Sequence, residues 1–124
     1  MSTSQRGLDI TLEAGGDLSA AQFLFVTLAT DGQVDVTGSA GGAAIGVLQN
    51  DPDAAGRAAT VRVLGPTKLV AGENGIEPGE RLQADSDGKA LVAASGDYVL
   101  AISLSLADDG DVFNALLVSQ HINA

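Results

Sequence analysis

The chain predicts an all-β fold, a small barrel or sandwich built from two similar β units behind a flexible N-terminal arm. Three observations carry this. Turn signals recur every ~8–12 residues with no helical period between them, which is the pattern of sandwiches and barrels. Leu, Ile, Val and Phe supply 34 of the 124 residues, above the range of disordered chains and enough for one core. One stretch, Ala43 to Gly65 (AAIGVLQNDPDAAGRAATVRVLG), has a rougher copy at Leu100 to Val118 (LAISLSLADDGDVFNALLV), and each follows an Asp-Gly turn, Asp31-Gly32 or Asp87-Gly88.

Residues 1–7 are polar and read as the arm, 8–120 as a single β domain with similar halves at roughly 17–65 and 75–119, and 121–124 as a tail. Leu8 to Glu13 alternates apolar and polar, the period of a half-buried strand. Leu18 to Gln22 is long enough for one turn only. Phe23 to Leu28 is a dense run of β formers and predicts a central strand. Asp31-Gly32 predicts a hairpin into Gln33 to Thr37, with Val34 and Val36 on one face. Ala44 to Leu48 predicts a buried strand in which Gly46 marks a bulge or a close backbone approach. Asn50 to Asp53 has turn chemistry throughout, and Ala59 to Leu64 returns as a strand.

Gly65-Pro66 punctuates the midpoint, and a short strand over Thr67 to Ala71 follows. An acidic connection, Gly72 to Glu80, leads to a hairpin of Arg81 to Ala84 and Lys89 to Ala93 around Asp85 to Gly88. After a turn at Ser95 to Asp97, Tyr98 to Leu106 reads as a long strand with Ile102, Leu104 and Leu106 inward and Ser103 and Ser105 outward. Val112 to Ser119 is the last strand. The halves line up at offsets of 56 (Asp31 to Asp87), 57 (Ala44 to Ala101) and 54 (Gly56 to Gly110), as small loop insertions would produce.

Sixteen acids against six bases give a net charge of −10. Such a surface repels nucleic acid, whose affinity for proteins comes mostly from Lys and Arg neutralising phosphates. Direct nucleic-acid binding is therefore excluded. There is no Cys, which excludes disulfides and thiolate chemistry. The N-terminus lacks the apolar core of a secretion signal, and no run approaches the ~18 apolar residues of a membrane helix. A soluble product made in the cytoplasm is the expectation, with no membrane contact. A core of small aliphatic side chains with few rings leaves a lone monomer a modest margin, so self-association is expected.

Candidate chemistry is sparse. His121 is the lone histidine, close to the end of the chain, and a catalytic base needs a fixed orientation and an orienting partner. Nucleophile-elbow, zincin and P-loop patterns are missing. The acidic turns Asp51/Asp53, Asp85/Asp87 and Asp108/Asp109/Asp111 could offer oxygens to Ca²⁺, but none fits the twelve-residue Ca²⁺ loop, and Asp and Gly in turns are already explained by turn geometry. No catalytic, cofactor or metal residues are assigned. A Ca²⁺-dependent acidic binding module and an enzyme using the acidic loops stay open as rival readings.

The ordered series Gly46-Val-Leu-Gln-Asn-Asp-Pro52, Ala58 to Gly65, Lys68 to Ala71, Asp85 to Gly88 and Ser95 to Leu100 resembles the small capsid-cement, or head-decoration, proteins of tailed bacteriophages. The similarity runs from about Asp17 to Val118. It departs at Asn74 to Gly79, where family members often have Ala-Ile-Ala-Ala-Gly, in a loop. The resemblance implies a virion protein on the outer capsid surface, made in the host cytoplasm, that binds the major capsid protein and clamps its subunits, commonly as a homotrimer. It implies no cofactor and no enzymatic activity. Exposed edges and arms are natural docking elements. Ser2, Thr3, Ser4, Gln5, Arg6 and Gly7, with Leu8, Ile10 and Leu12 of the first strand, are therefore the candidate capsid or subunit contacts.

Overall fold

A computed structural model describes residues 7–123. Nine strands follow in chain order: β1 (Leu8–Ala14), β2 (Phe25–Leu28), β3 (Gln33–Val36), β4 (Gly46–Leu48), β5 (Ala58–Val70), β6 (Arg81–Ala84), β7 (Ala90–Val92), β8 (Tyr98–Ser103) and β9 (Val112–Ile122). Among the described residues there is no helix. The all-β expectation holds, with two rings of paired strands as its form. In the first, β1-β3-β2-β4-β5 closes when β5 also pairs with β1. In the second, β5-β9-β8-β6-β7 closes when Ala71, just past β5, bridges Ala90 in parallel. The long strand β5 belongs to both rings.

The two rings repeat one pattern. The parallel ladder of Ala14 beside Val34 has its counterpart in the parallel Ala71–Ala90 bridge. Gly15 N donates to Val34 O at 2.8 Å, as Gly72 N does to Ala90 O at 2.8 Å. Thr37 N to Phe25 O matches Ala93 N to Arg81 O. Gly56 N to Ala14 O matches Gly110 N to Ala71 O, and both glycines are left-handed, with φ of 84° and 85°. The two rings therefore share one pattern of backbone hydrogen bonds.

One register differs from the sequence alignment. Gly46 opposite Val26 corresponds to Ala101 opposite Leu82, so Ala101 matches Gly46 and not Ala44. Strand side chains repeat every two residues, so a slip of two leaves the apolar pattern unchanged.

Other expectations are also corrected. Gly65-Pro66 does not end a strand: β5 runs through it, and Gly65, at φ 101°, redirects the strand from one ring to the other while Pro66 stays in register opposite Leu116. The run from Tyr98 to Leu106 stops at Ser103, and its faces are reversed. Ser103 is buried with its hydroxyl donating to Ser105 O at 2.7 Å, whereas Leu104 and Leu106 are 49% and 72% exposed. β2 begins at Phe25, not Phe23, because Phe23 takes a left-handed φ of 68°. β9 continues to Ile122, two residues into the stretch read as a tail.

The core has one apolar cluster per ring. Ala14, Val26, Val34, Leu48, Ala59 and Val61 fill the first; Leu69, Ile76, Leu82, Leu100, Phe113 and Leu117 are among those filling the second. Phe25 and Val47, from strands of the first ring, are packed in the second cluster, which ties the halves together. Burying a side chain such as Phe25, Leu69 or Leu82 fully contributes about 1.5–3 kcal/mol each. Gly46 fits the close approach expected of it, since a Cβ there would collide with the Arg62 carbonyl oxygen.

Candidate interaction surfaces

Of the candidate contact residues, Ser2 to Arg6 lie outside the described residues. Gly7 is exposed and passes so close to β5 that a Cβ on it would meet Leu64 O at 2.6 Å and Arg62 Cδ at 2.7 Å. Leu8 and Ile10 are 59% and 40% exposed, and Leu12 is half-buried.

The pairing explains why apolar β1 residues face solvent. β5 pairs with β1 from Leu8 to Glu13, whereas β3 reaches only Glu13 and Ala14 on the other side. Among the described residues, 8–12 therefore form a strand edge with one neighbour. In the second ring the equivalent stretch of β5 is covered: Val70 N donates to Phe23 O, and Gln49 Nε2 donates to Thr67 Oγ1 at 2.9 Å. Thr67, the counterpart of Ile10, is buried. The first half shields the second, and no earlier segment among the described residues shields the first. An edge of this kind can accept an extended segment from another chain.

Beside that edge, β1 is fastened to β5 by a two-pronged ion pair. Arg62 Nε and Nη2 donate to Asp9 Oδ1 and Oδ2 at 2.7 and 3.1 Å, and Arg62 Nη1 donates to Pro66 O at 2.8 Å. The hydrogen bonds that Arg62 donates to Asp9 hold its pKa above the ordinary value. This leaves β1 fixed at its base and open along its free edge.

Next to Leu8 and Leu64 lies a groove of about 390 Å³, where β5 leaves the first ring. Its far wall is Val118 to Gln120 of β9, a bulge in which three residues oppose Leu100 alone. Gln120 Oε1 accepts from Ala44 N at 3.3 Å and joins the halves across the groove. The lining is mainly aliphatic and carries no cluster of ionisable groups.

Several carboxylates of the acidic turns are engaged by backbone amides. Asp85 Oδ1 accepts from Asp87 N and Lys89 N, Asp108 Oδ1 from Gly75 N, and Asp111 Oδ2 from Asp108 N. Among the described residues no three His, Asp or Glu side chains converge as metal ligands would. His121 lies on β9, exposed, with Nδ1 2.9 Å from Ser119 O and, among the described residues, no carboxylate hydrogen-bonded to its ring.

Sequence reasoning placed β1 among the contacts but missed the groove and the joint between halves. Both arise from which strands lack a second neighbour, and no local motif records that.

No protein-family model matches the chain, and no curated protein matches it. Among solved structures, the chain is similar to the crystal structure of the N base of head fiber gp8.5 of bacteriophage phi29. The TM-score is 0.68 at 17% identity, over 91% of this chain and 95% of that one. At this identity the likeness is one of fold, and it takes in both rings.

Proposed function

We propose that this chain is a structural, non-enzymatic protein of a tailed-phage head, a cement or decoration protein on the outer capsid surface. In this reading it binds the major capsid protein, stabilises contacts between capsid subunits and acts as a homotrimer. The observation that carries the reading is a fold shared over nearly the full length of both chains with a phage head fiber base. The sequence resemblance to head-decoration proteins, drawn from different information, points the same way. The acidic exterior and the open β1 edge are consistent with it.

The arm and β1 are the proposed capsid contact. Deleting residues 2–7 and measuring occupancy on purified heads tests this: occupancy is expected to fall, and unchanged occupancy removes the arm from the contact. Electron microscopy of heads with and without the protein tests the class itself. Added density at three-fold positions is expected; heads that gain no density overturn the reading.

A further inference from the structure

Inside the chain, the second half docks on the first through a hairpin. Its turn residue Gly88 accepts from Phe25 N at 2.8 Å, and a Cβ on Gly88 would press on Val36, the Phe25 carbonyl and Leu24. The first half carries the same hairpin. Ala29 N to Gln33 O and Asp85 N to Lys89 O are both 2.8 Å, and Gly32 and Gly88 share a φ of 83°. Yet among the described residues nothing lies within 4 Å of a Cβ built on Gly32. Leu28 at the root of this free hairpin is 49% exposed, while its counterpart Ala84 is buried.

The seat is repeated as well. Leu24, Phe25 and Val36 correspond to Glu80, Arg81 and Val92, and these three line an open pocket of about 340 Å³ with Gly79 and Ala93, Asn123 standing at its side. Arg81 O accepts from Ala93 N at 2.8 Å, as Phe25 O accepts from Thr37 N at 3.1 Å. Glu80 O, one residue earlier, turns the other way to accept from Ser103 N. Backbone groups alternate sides along an antiparallel strand, so Arg81 N–H faces this pocket as Phe25 N–H faces Gly88.

Among the described residues, one chain thus holds an undocked hairpin and an unfilled seat for that hairpin. We infer that a second copy of this chain inserts its Ala29–Gln33 hairpin into the pocket formed by Glu80, Arg81 and Val92, repeating between molecules the junction found inside one. The docked hairpin would carry Asp31 into a seat whose exposed side chains include Arg81. The Glu80 carboxylate on the same wall is engaged by Glu77 N at 2.7 Å. Donor and seat are different patches, so the contact is head-to-tail and closes into a ring or extends, according to the rotation it imposes. The inference supplies surfaces for the self-association in the proposed function and rests on that part of it.

Sedimentation velocity of the full chain across a concentration series tests it, with Thr30→Arg and Asp31→Asn as hairpin variants and Arg81→Asp as the seat variant. Each variant alone is expected to weaken association at least tenfold. An equimolar mixture of Thr30→Arg and Arg81→Asp chains is expected to form dimers and stop there, since each partner keeps one working patch. Asp31→Asn retains the turn acceptor for Gln33 N, so it reads the charge contact even if Thr30→Arg disturbs the fold. A parent chain that stays monomeric overturns the inference, as do variants that associate like the parent or a mixture that forms no dimer. Occupancy on purified heads is measured separately, so failure here leaves capsid attachment standing.

Discussion

Phe23 occupies the position that Gly79 holds in the second half, and both backbones are left-handed, with φ of 68° and 89°. The equivalence is fixed by hydrogen bonds: Phe23 N donates to Leu48 O at 2.8 Å and Gly79 N to Ser103 O at 2.8 Å. A left-handed conformation costs a residue with a Cβ roughly 1–2 kcal/mol. Phe23 bears that cost at the joint, where its carbonyl accepts from Val70 N.

Removing the Phe23 ring should therefore cost less than its size suggests. Phe23→Gly loses the packing of a half-buried ring but relieves the strain, and its stability is expected within about 1 kcal/mol of the parent by urea denaturation. Gly79→Ala introduces the strain and is expected to cost about 1–2 kcal/mol. Phe25→Ala, at a fully buried position two residues away, is expected to cost about 3–5 kcal/mol. A loss at Phe23 as large as that at Phe25 would show that the left-handed backbone stores no strain.

The duplication also permits a paired test in which chemistry is constant and burial is not. Leu12 opposite Ala59 corresponds to Leu69 opposite Phe113. Leu69 is fully buried, while Leu12 lies half-buried on the open strand. Leu69→Ala is expected to cost about 2–5 kcal/mol. Leu12→Ala is expected to cost about half that or less, with both read as shifts in the denaturation midpoint. If Leu12→Ala costs as much as Leu69→Ala in the free protein, then the β1 edge is already covered in solution.

The turns were legible in the sequence because their chemistry is local: Asp31-Gly32 and Asp87-Gly88 need a left-handed glycine, and both have one. The close approach at Gly46 was legible for a similar reason, since a glycine inside a buried strand is costly unless something lies against it. Properties set by distant partners were less so. Alternation alone cannot tell which face of Tyr98 to Leu106 is inward, and it is Ser103 that is buried while Leu104 and Leu106 are exposed. The two hairpin seats escaped notice because Phe25 and Arg81 share a backbone role and no side-chain chemistry.

Gly46 gives a sharp test of the β4–β5 contact. Any side chain there must displace the Arg62 carbonyl and crowd Val61 Cγ1 at 2.9 Å. Backbone and a buried β-branched residue yield little, so Gly46→Ala is expected to cost about 1–3 kcal/mol, in the range of an overpacked core. Gly16→Ala, where nothing lies within 4 Å, serves as the control and is expected to stay within about 0.5 kcal/mol of the parent. Equal effects at the two glycines would mean that β4 and β5 do not approach so closely.

The Asp9–Arg62 pair should behave as a geometric fastening more than as a charge contact. The Arg62 side chain is 16% exposed and Asp9 34%, so screening by water and salt reduces the Coulombic part. What remains is directional: two prongs to one carboxylate and a third donor to Pro66 O, where β5 changes rings. Lysine preserves the charge but has no planar fork and cannot make all three bonds in this arrangement. Arg62→Lys is therefore expected to lose nearly as much as Arg62→Met, about 1–3 kcal/mol, and raising the salt concentration should change the difference little. The loss should concentrate at β1: hydrogen exchange of the Leu8 to Leu12 amides is expected to accelerate in both variants while the amides of β8 and β9 keep their protection. A lysine variant indistinguishable from the parent would mean that charge alone holds β1 to the first ring.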